Sequence, residues 1–170
     1  MDGEVAANPA RYVPIAAASA GSDRLELTAL YPSLRRFAAV VSASDGDPDD
    51  LLQSAVERLL RLRVDVDDPA AYLRRTMVNL ESNRRRGLGR LRDALARLSR
   101  HSHHADTYPS DLAVLDSLEP VDRSVVFLID VEGWPSKDVA EQLDLTDSAV
   151  RTRATRARTL LREQLRKEDR

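Results

Sequence analysis

Between Asp147 and Arg166 the residues Val150, Ala154, Ala157, Leu161 and Leu165 recur at i, i+4, i+7, i+11 and i+15. Only an α-helix lines up that spacing as one stripe. Thr146 is placed to cap this helix. Upstream, Ser136 is placed to cap a shorter helix ending at Leu143, and Asp144-Leu145 makes the turn between them. The pattern is a helix-turn-helix. Arg151, Thr152, Thr155, Arg156 and Thr159 point away from the apolar stripe. Arginine can bond guanine edges bidentately, and threonine can contact bases or the thymine methyl. The second helix therefore has the make-up of one that reads a DNA major groove.

The rest of the chain is also helical in pattern. No strand alternation, internal repeat or glycine-rich phosphate loop appears, and aromatics make up only 4% of the residues, so the cores must be Leu/Val/Ala cores inside helices. The expected fold is all-α, with two small helical domains joined by a flexible linker: a tail over 1–21, a first domain over 22–87, the linker over 88–110, and the helix-turn-helix domain over 111–170. In the first domain Pro32 is expected to kink or break the opening helix. Asp47-Pro48 and Asp68-Pro69 each read as a cap followed by a first-position proline. The helix begun at Pro69 is expected to end by Gly87, with Leu91, Leu95 and Leu98 adding at most a turn or two. Each unit has about 60 residues, near the lower limit for a self-sufficient core, so contacts with a partner are expected to help hold it.

Charge is strongly segregated. Residues 1–73 hold 7 basic and 12 acidic side chains; residues 74–100 hold 9 arginines against Glu81 and Asp93; residues 151–170 hold 8 basic against 3 acidic. Two basic segments separated by acidic ones suit two contacts with a polyanion and a further acidic surface for another partner. On the helix from Pro48, Asp50, Gln53, Ser54, Glu57 and Arg61 align opposite the apolar side. On the helix from Pro69, Leu73, Met77 and Leu80 form an inner stripe, while Tyr72, Arg75, Asn79, Ser82, Asn83 and Arg86 gather opposite. Arg75 and Arg86 can neutralise phosphates, Asn79 can bond a base edge, and Tyr72 can stack on an unpaired base.

This order of parts resembles the RNA polymerase sigma factors of the extracytoplasmic-function (ECF) group, whose regions 2 and 4 are helical domains on a flexible linker. Region 2 is similar to residues 24–87, through Asp49-Asp50-Leu51-Leu52-Gln53 and Tyr72-Leu73-Arg74-Arg75-Thr76-Met77-Val78-Asn79. Region 4 is similar to residues 111–165, through Gly133-Trp134-Pro135-Ser136-Lys137-Asp138-Val139-Ala140 and Val150-Arg151-Thr152-Arg153.

The resemblance implies a DNA-binding initiation factor rather than an enzyme, cytoplasmic and without cofactor or membrane insertion. It implies that Asp50, Gln53 and Glu57 meet the beta-prime clamp helices of core polymerase, with the beta flap a further contact. Tyr72, Arg75, Asn79, Asn83 and Arg86 would meet the promoter minus-ten element. Arg151, Thr152, Arg153, Thr155 and Arg156 would meet the minus-thirty-five element, and an anti-sigma factor is a further possible partner. The loop Arg63 to Asp68 would receive a flipped base.

The chain departs from the family pattern at Asn83 (an aspartate is usual), Asp144 (a glycine), Ala149 (a threonine) and Tyr72 (a tryptophan). A helix-turn-helix regulator without initiation activity is the alternative. Metal binding by His101, His103 and His104 is a poor third, because their spacing on a polar linker brings no carboxylate to ligand distance.

Overall fold

The computed structural model of the protein describes residues 23–43, 46–62, 66–98 and 113–168. The expected tail, the three linker histidines and the first half of the loop Arg63 to Asp68 lie outside the described residues. Every regular element among the described residues is helical: α1 (Asp23–Ser42), α2 (Pro48–Arg61), α3 (Pro69–Leu98), a 3-10 turn (Ala113–Ser117), α4 (Pro120–Val126), α5 (Ser136–Leu143) and α6 (Asp147–Glu168). A π-helical turn, Phe127–Val131, continues α4.

Both cap-proline devices form. Asp47 accepts the Asp49 and Asp50 amides at 2.8 and 3.4 Å, and Asp68 accepts the Ala71 amide at 2.8 Å. Helix α1 is continuous through Pro32, so the proline does not break it. Pro32 is exposed, where the carbonyl it leaves unpaired can take water, and Leu34 and Phe37 anchor the turn that follows. Helix α3 likewise does not end by Gly87: it spans 30 residues and takes in part of the expected linker. A glycine stops a helix by adopting a left-handed cap. Among the described glycines only Gly133 has a positive φ, so Gly87 and Gly89 weaken α3 locally without ending it.

Helices α1, α2 and α3 pack on one another, α6 packs on both α4 and α5, and the first unit meets the second directly where α1 and α3 pack on α4 and α3 packs on α5. Leu34, Phe37, Val41, Leu73 and Met77 of the first unit share one buried cluster with Val125, Phe127, Leu128, Val139 and Val150 of the second. The Phe37 and Phe127 rings meet edge-on across the boundary, with centroids 6.2 Å apart. Each small unit thus finds in the other the partner its size calls for.

Candidate nucleic-acid interface

The helix-turn-helix is built by local chemistry. Asp144 takes the left-handed conformation at φ 56°. The Leu145 amide reaches back to the Ala140 carbonyl at 2.9 Å, closing the end of α5. Thr146 caps α6 by accepting the Ala149 amide at 3.2 Å. Ser136 does not cap α5 as expected, because Pro135 occupies the flanking position and Ser136 is already helical. Its hydroxyl donates instead to Asp147 at 2.6 Å, tying the start of α5 to the start of α6.

On α6 the inner stripe is buried at Val150, Ala154 and Ala157 but emerges into solvent by Leu165. Arg151, Thr152, Thr155, Arg156 and Thr159 are all exposed. The three threonine hydroxyls donate to carbonyls four residues back, at 2.9–3.1 Å, which leaves their acceptor lone pairs and methyl groups for a ligand. Arg151 is held by Asp147 of its own first turn. Arg156 makes no ion pair or side-chain hydrogen bond among the described residues.

Arg153 is placed differently from the other expected DNA contacts. It donates to Asp122 of α4 at 2.7 Å, and that carboxylate is only 4% exposed. Arg158 does the same on the other flank, with two bonds to Asp130 at 2.6 and 3.0 Å. Those hydrogen bonds raise the Arg158 pKa further above its ordinary value. These two arginines fasten the helix; Arg151 and Arg156 are the ones presented outward.

Helix α3 has three faces. The inner one carries Leu73 and Met77, both fully buried. The outer one carries the expected site residues: Asn79, Asn83 and Arg86 are exposed, and Tyr72 and Arg75 half-buried. Asn83 accepts from Arg86 at 2.8 Å and so holds that guanidinium along the helix. Arg75 is drawn back onto the Ala71 carbonyl.

The third face, Arg74, Val78 and Arg85, was not read from the sequence, and it turns to the second unit. Arg74 is 5% exposed; it donates to Gln142 at 2.6 Å and lies 4.9 Å from the Trp134 ring centroid. Burial depresses the Arg74 pKa, and the charges of Asp68 and Glu132 oppose that shift. Arg85 donates to the Leu118 and Asp116 carbonyls at 2.6 and 2.9 Å. The recurrence of arginine at i and i+11 around Val78 was the only local signal of this face.

On α2 the residues Asp50, Gln53, Ser54, Glu57 and Arg61 are exposed together, as the spacing requires. Gln53 and Arg61 both donate to Glu57 at 3.3 Å, which leaves a ridge of net negative charge. Asp49, next to it, is not part of this ridge: it clamps Arg35 of α1. No helix of the described residues is long and apolar enough to cross a membrane, and no metal-holding cluster occurs among them.

Residues 112–161 match the family described as Sigma-70, region 4. Over 86% of its length the chain superposes on 98% of the sigma factor RpoE of Bartonella quintana, solved in complex with the anti-sigma factor NepR, with a TM-score of 0.61 and 23% identity. It also superposes, over 84% of its length, on half of a chain from the complex of the anti-anti-sigma factor PhyR with NepR from the same organism, with a TM-score of 0.52 and 23% identity. No curated protein sequence matches the chain. The segment that holds the helix-turn-helix therefore matches the sigma-70 region 4 family, and the chain as a whole shares the all-α fold of that solved sigma factor.

Proposed function

We propose that this protein is a cytoplasmic ECF-type sigma factor that binds core RNA polymerase, reads two promoter elements and promotes DNA opening. The observation that carries this reading is the pairing of two surfaces on one fold. The region 4 helix α6 presents Arg151, Thr152, Thr155 and Arg156 outward, and α2 presents the ridge Asp50, Gln53 and Glu57. The α6 face supplies bidentate and methyl-reading side chains for the minus-thirty-five element. The α2 ridge offers carboxylates and an amide to the beta-prime clamp helices, and the second unit offers a contact to the beta flap.

Opening the minus-ten element draws on binding energy alone, since bond chemistry belongs to the polymerase. Unstacking a base costs a few kcal/mol. Arg75 and Arg86 recover part of that by neutralising phosphates, Tyr72 by stacking, and Asn79 and Asn83 by bonding base edges. An anti-sigma factor is a natural further partner, because the sigma factor RpoE, which shares the fold, is solved bound to one.

The test is reconstitution with bacterial core polymerase on fragmented genomic DNA, sequencing transcript 5′ ends. Discrete starts sharing two spaced upstream elements are expected. The Asn79→Ala variant should bind core normally and open promoters poorly. The likeness to half of a chain from the PhyR–NepR complex favours one second reading, a sigma-like module that takes up an anti-sigma factor without initiating. Anti-sigma binding with no core binding would select it.

A further inference from the structure

Asp147 is the first residue of α6, directly after its cap Thr146, and its two carboxylate oxygens serve different helices. Oδ1 accepts the hydroxyl of Ser136, the first residue of α5, at 2.6 Å. Oδ2 accepts an Nη of Arg151, one turn further along α6. An acid in the first turn is favoured by the helix dipole whatever it touches, and an exposed i, i+4 ion pair adds little stability. Neither effect needs the bond to Ser136. That bond ties the carboxylate to a neighbouring helix, so Asp147 is held from outside α6 and Arg151 is held through Asp147.

The outward face of α6 thus carries two arginines of different kinds. Arg156, exposed and with no side-chain partner among the described residues, is ordered only by what it meets. Arg151 lies nearer the N-terminus of α6, the end that a recognition helix brings to the base edges. Its guanidinium has five donors in a planar fork; Asp147 engages one nitrogen, and the others remain for a ligand. A fork held before contact loses less rotamer freedom on binding, and it accepts only a matching pair of acceptors. Guanine offers that pair in O6 and N7, whereas adenine puts an amino donor beside its N7.

We infer that Asp147, anchored by Ser136, is a positioning residue for base reading, which holds Arg151 as the selector of one guanine in the upstream element. The inference rests on the reading of α6 as the promoter-recognition helix. It makes the junction of α5 and α6 part of the specificity determinant, although Ser136 lies on the helix that does not read.

The test is selection by the full chain with core polymerase from a DNA duplex library randomised over the upstream element. The wild type should enrich guanine at a position that Arg151→Ala releases. Asp147→Ala should release the same position, its preference there for guanine over adenine falling about tenfold, as loss of a bidentate pair does. The position released by Arg156→Ala should be kept. Ser136→Ala should act in the same direction and less strongly. Thr146→Ala removes the α6 cap and costs stability, yet it should leave every base preference in place; a merely structural Asp147 would behave like it. In the free chain, heteronuclear relaxation of the arginine Nε groups should show Arg151 more ordered than Arg156, and no more ordered in Asp147→Ala. An Arg151 as mobile as Arg156 in the wild type would overturn the inference and leave the sigma-factor reading standing. Wild-type base preferences in Asp147→Ala would do the same, and uniformly tighter binding there would show that the carboxylate only repels DNA. A wild-type chain that enriches no sequence would sink the reading of α6, and the inference with it, however ordered Arg151 is.

Discussion

Helices α3 and α6 are both arginine-rich, and they spend their arginines in opposite ways. In α6 the inward-turned Arg153 and Arg158 each find a carboxylate on the preceding elements, Asp122 and Asp130, and Arg151 and Arg156 stay outside. In α3 the inward-turned Arg74 and Arg85 donate mainly to an amide and to backbone carbonyls. Arg84 pairs with Glu81, leaving Arg75 and Arg86 on the outer face. By sequence the segment containing most of α3 carries the larger positive excess. By placement the outer Arg75 and Arg86 of α3 are drawn onto their own helix, whereas Arg156 of α6 has no side-chain partner among the described residues. Charge counted along a helix overstates what a polyanion can meet, because an arginine's partner can lie on an element far away in sequence.

The strongest way to break this comparison is to cut the core on which both helices sit. Phe37→Ala should cost about 3–5 kcal/mol, as truncation of a buried phenylalanine does. Because Phe37 packs on Phe127 across the boundary, the loss should appear in both units. Urea unfolding followed by Trp134 fluorescence, which reports the second unit, and by far-UV circular dichroism should shift together. A Trp134 transition left in place would show that the two units do not share a core.

The contrast within α6 sharpens next. Arg153→Ala strands the buried Asp122 carboxylate, and a stability loss of about 2–3 kcal/mol is expected from an uncompensated group of that kind. Arg156→Ala should leave stability within about 0.5 kcal/mol but cost about 1–3 kcal/mol of discrimination at the upstream element. Denaturant midpoints and promoter-variant binding on the same two proteins separate anchoring from reading. Equal effects of the two substitutions on both measurements would erase the distinction. The caps come after these. Asp47→Ala should cost about 1 kcal/mol, and Asp68→Ala more, because Asp68 also receives Gln142 from the other unit. Equal losses in urea midpoint would deny that bond any weight.

What the sequence made legible was local. Asp47, Asp68, Thr146 and Asp144 do what their positions foretold, because a cap or a left-handed turn is decided within a few residues. The faces of α2 and α6 follow from helical periodicity alone. The failures have one origin each. Ser136 read as a cap, but the proline before it holds the flanking position and Asp147, eleven residues on, takes its hydroxyl. Gly87 read as a stop, but no left-handed residue follows to make it one. Arg153 flanks the apolar stripe, and whether a flanking arginine turns in or out depends on a carboxylate thirty-one residues upstream. The third face of α3 left only its arginine recurrence around Val78 as a local signal, and that has no reading without knowing that the second unit packs there.

The smallest expected effect concerns a pair within the first unit. Arg35 donates to both Asp49 oxygens at 2.8 and 2.9 Å, and Tyr31 adds a bond at 3.2 Å. The Arg35 hydrogen bonds come first in holding the Asp49 carboxyl below its ordinary 3.8. A carboxyl depressed in the folded state contributes stability above its unfolded pKa and loses that contribution as pH falls through the folded value. The advantage of the wild type over Asp49→Asn should therefore be constant near neutrality and shrink on acidification below about pH 4. Both side chains are about half exposed, at 53% and 49%, so water and salt screen the pair and the effect stays small. Urea midpoints across the acid limb, at low and high salt, decide the matter. A wild-type advantage that grew with acidification would reverse the sign and show that Asp49 is stabilised in its protonated form.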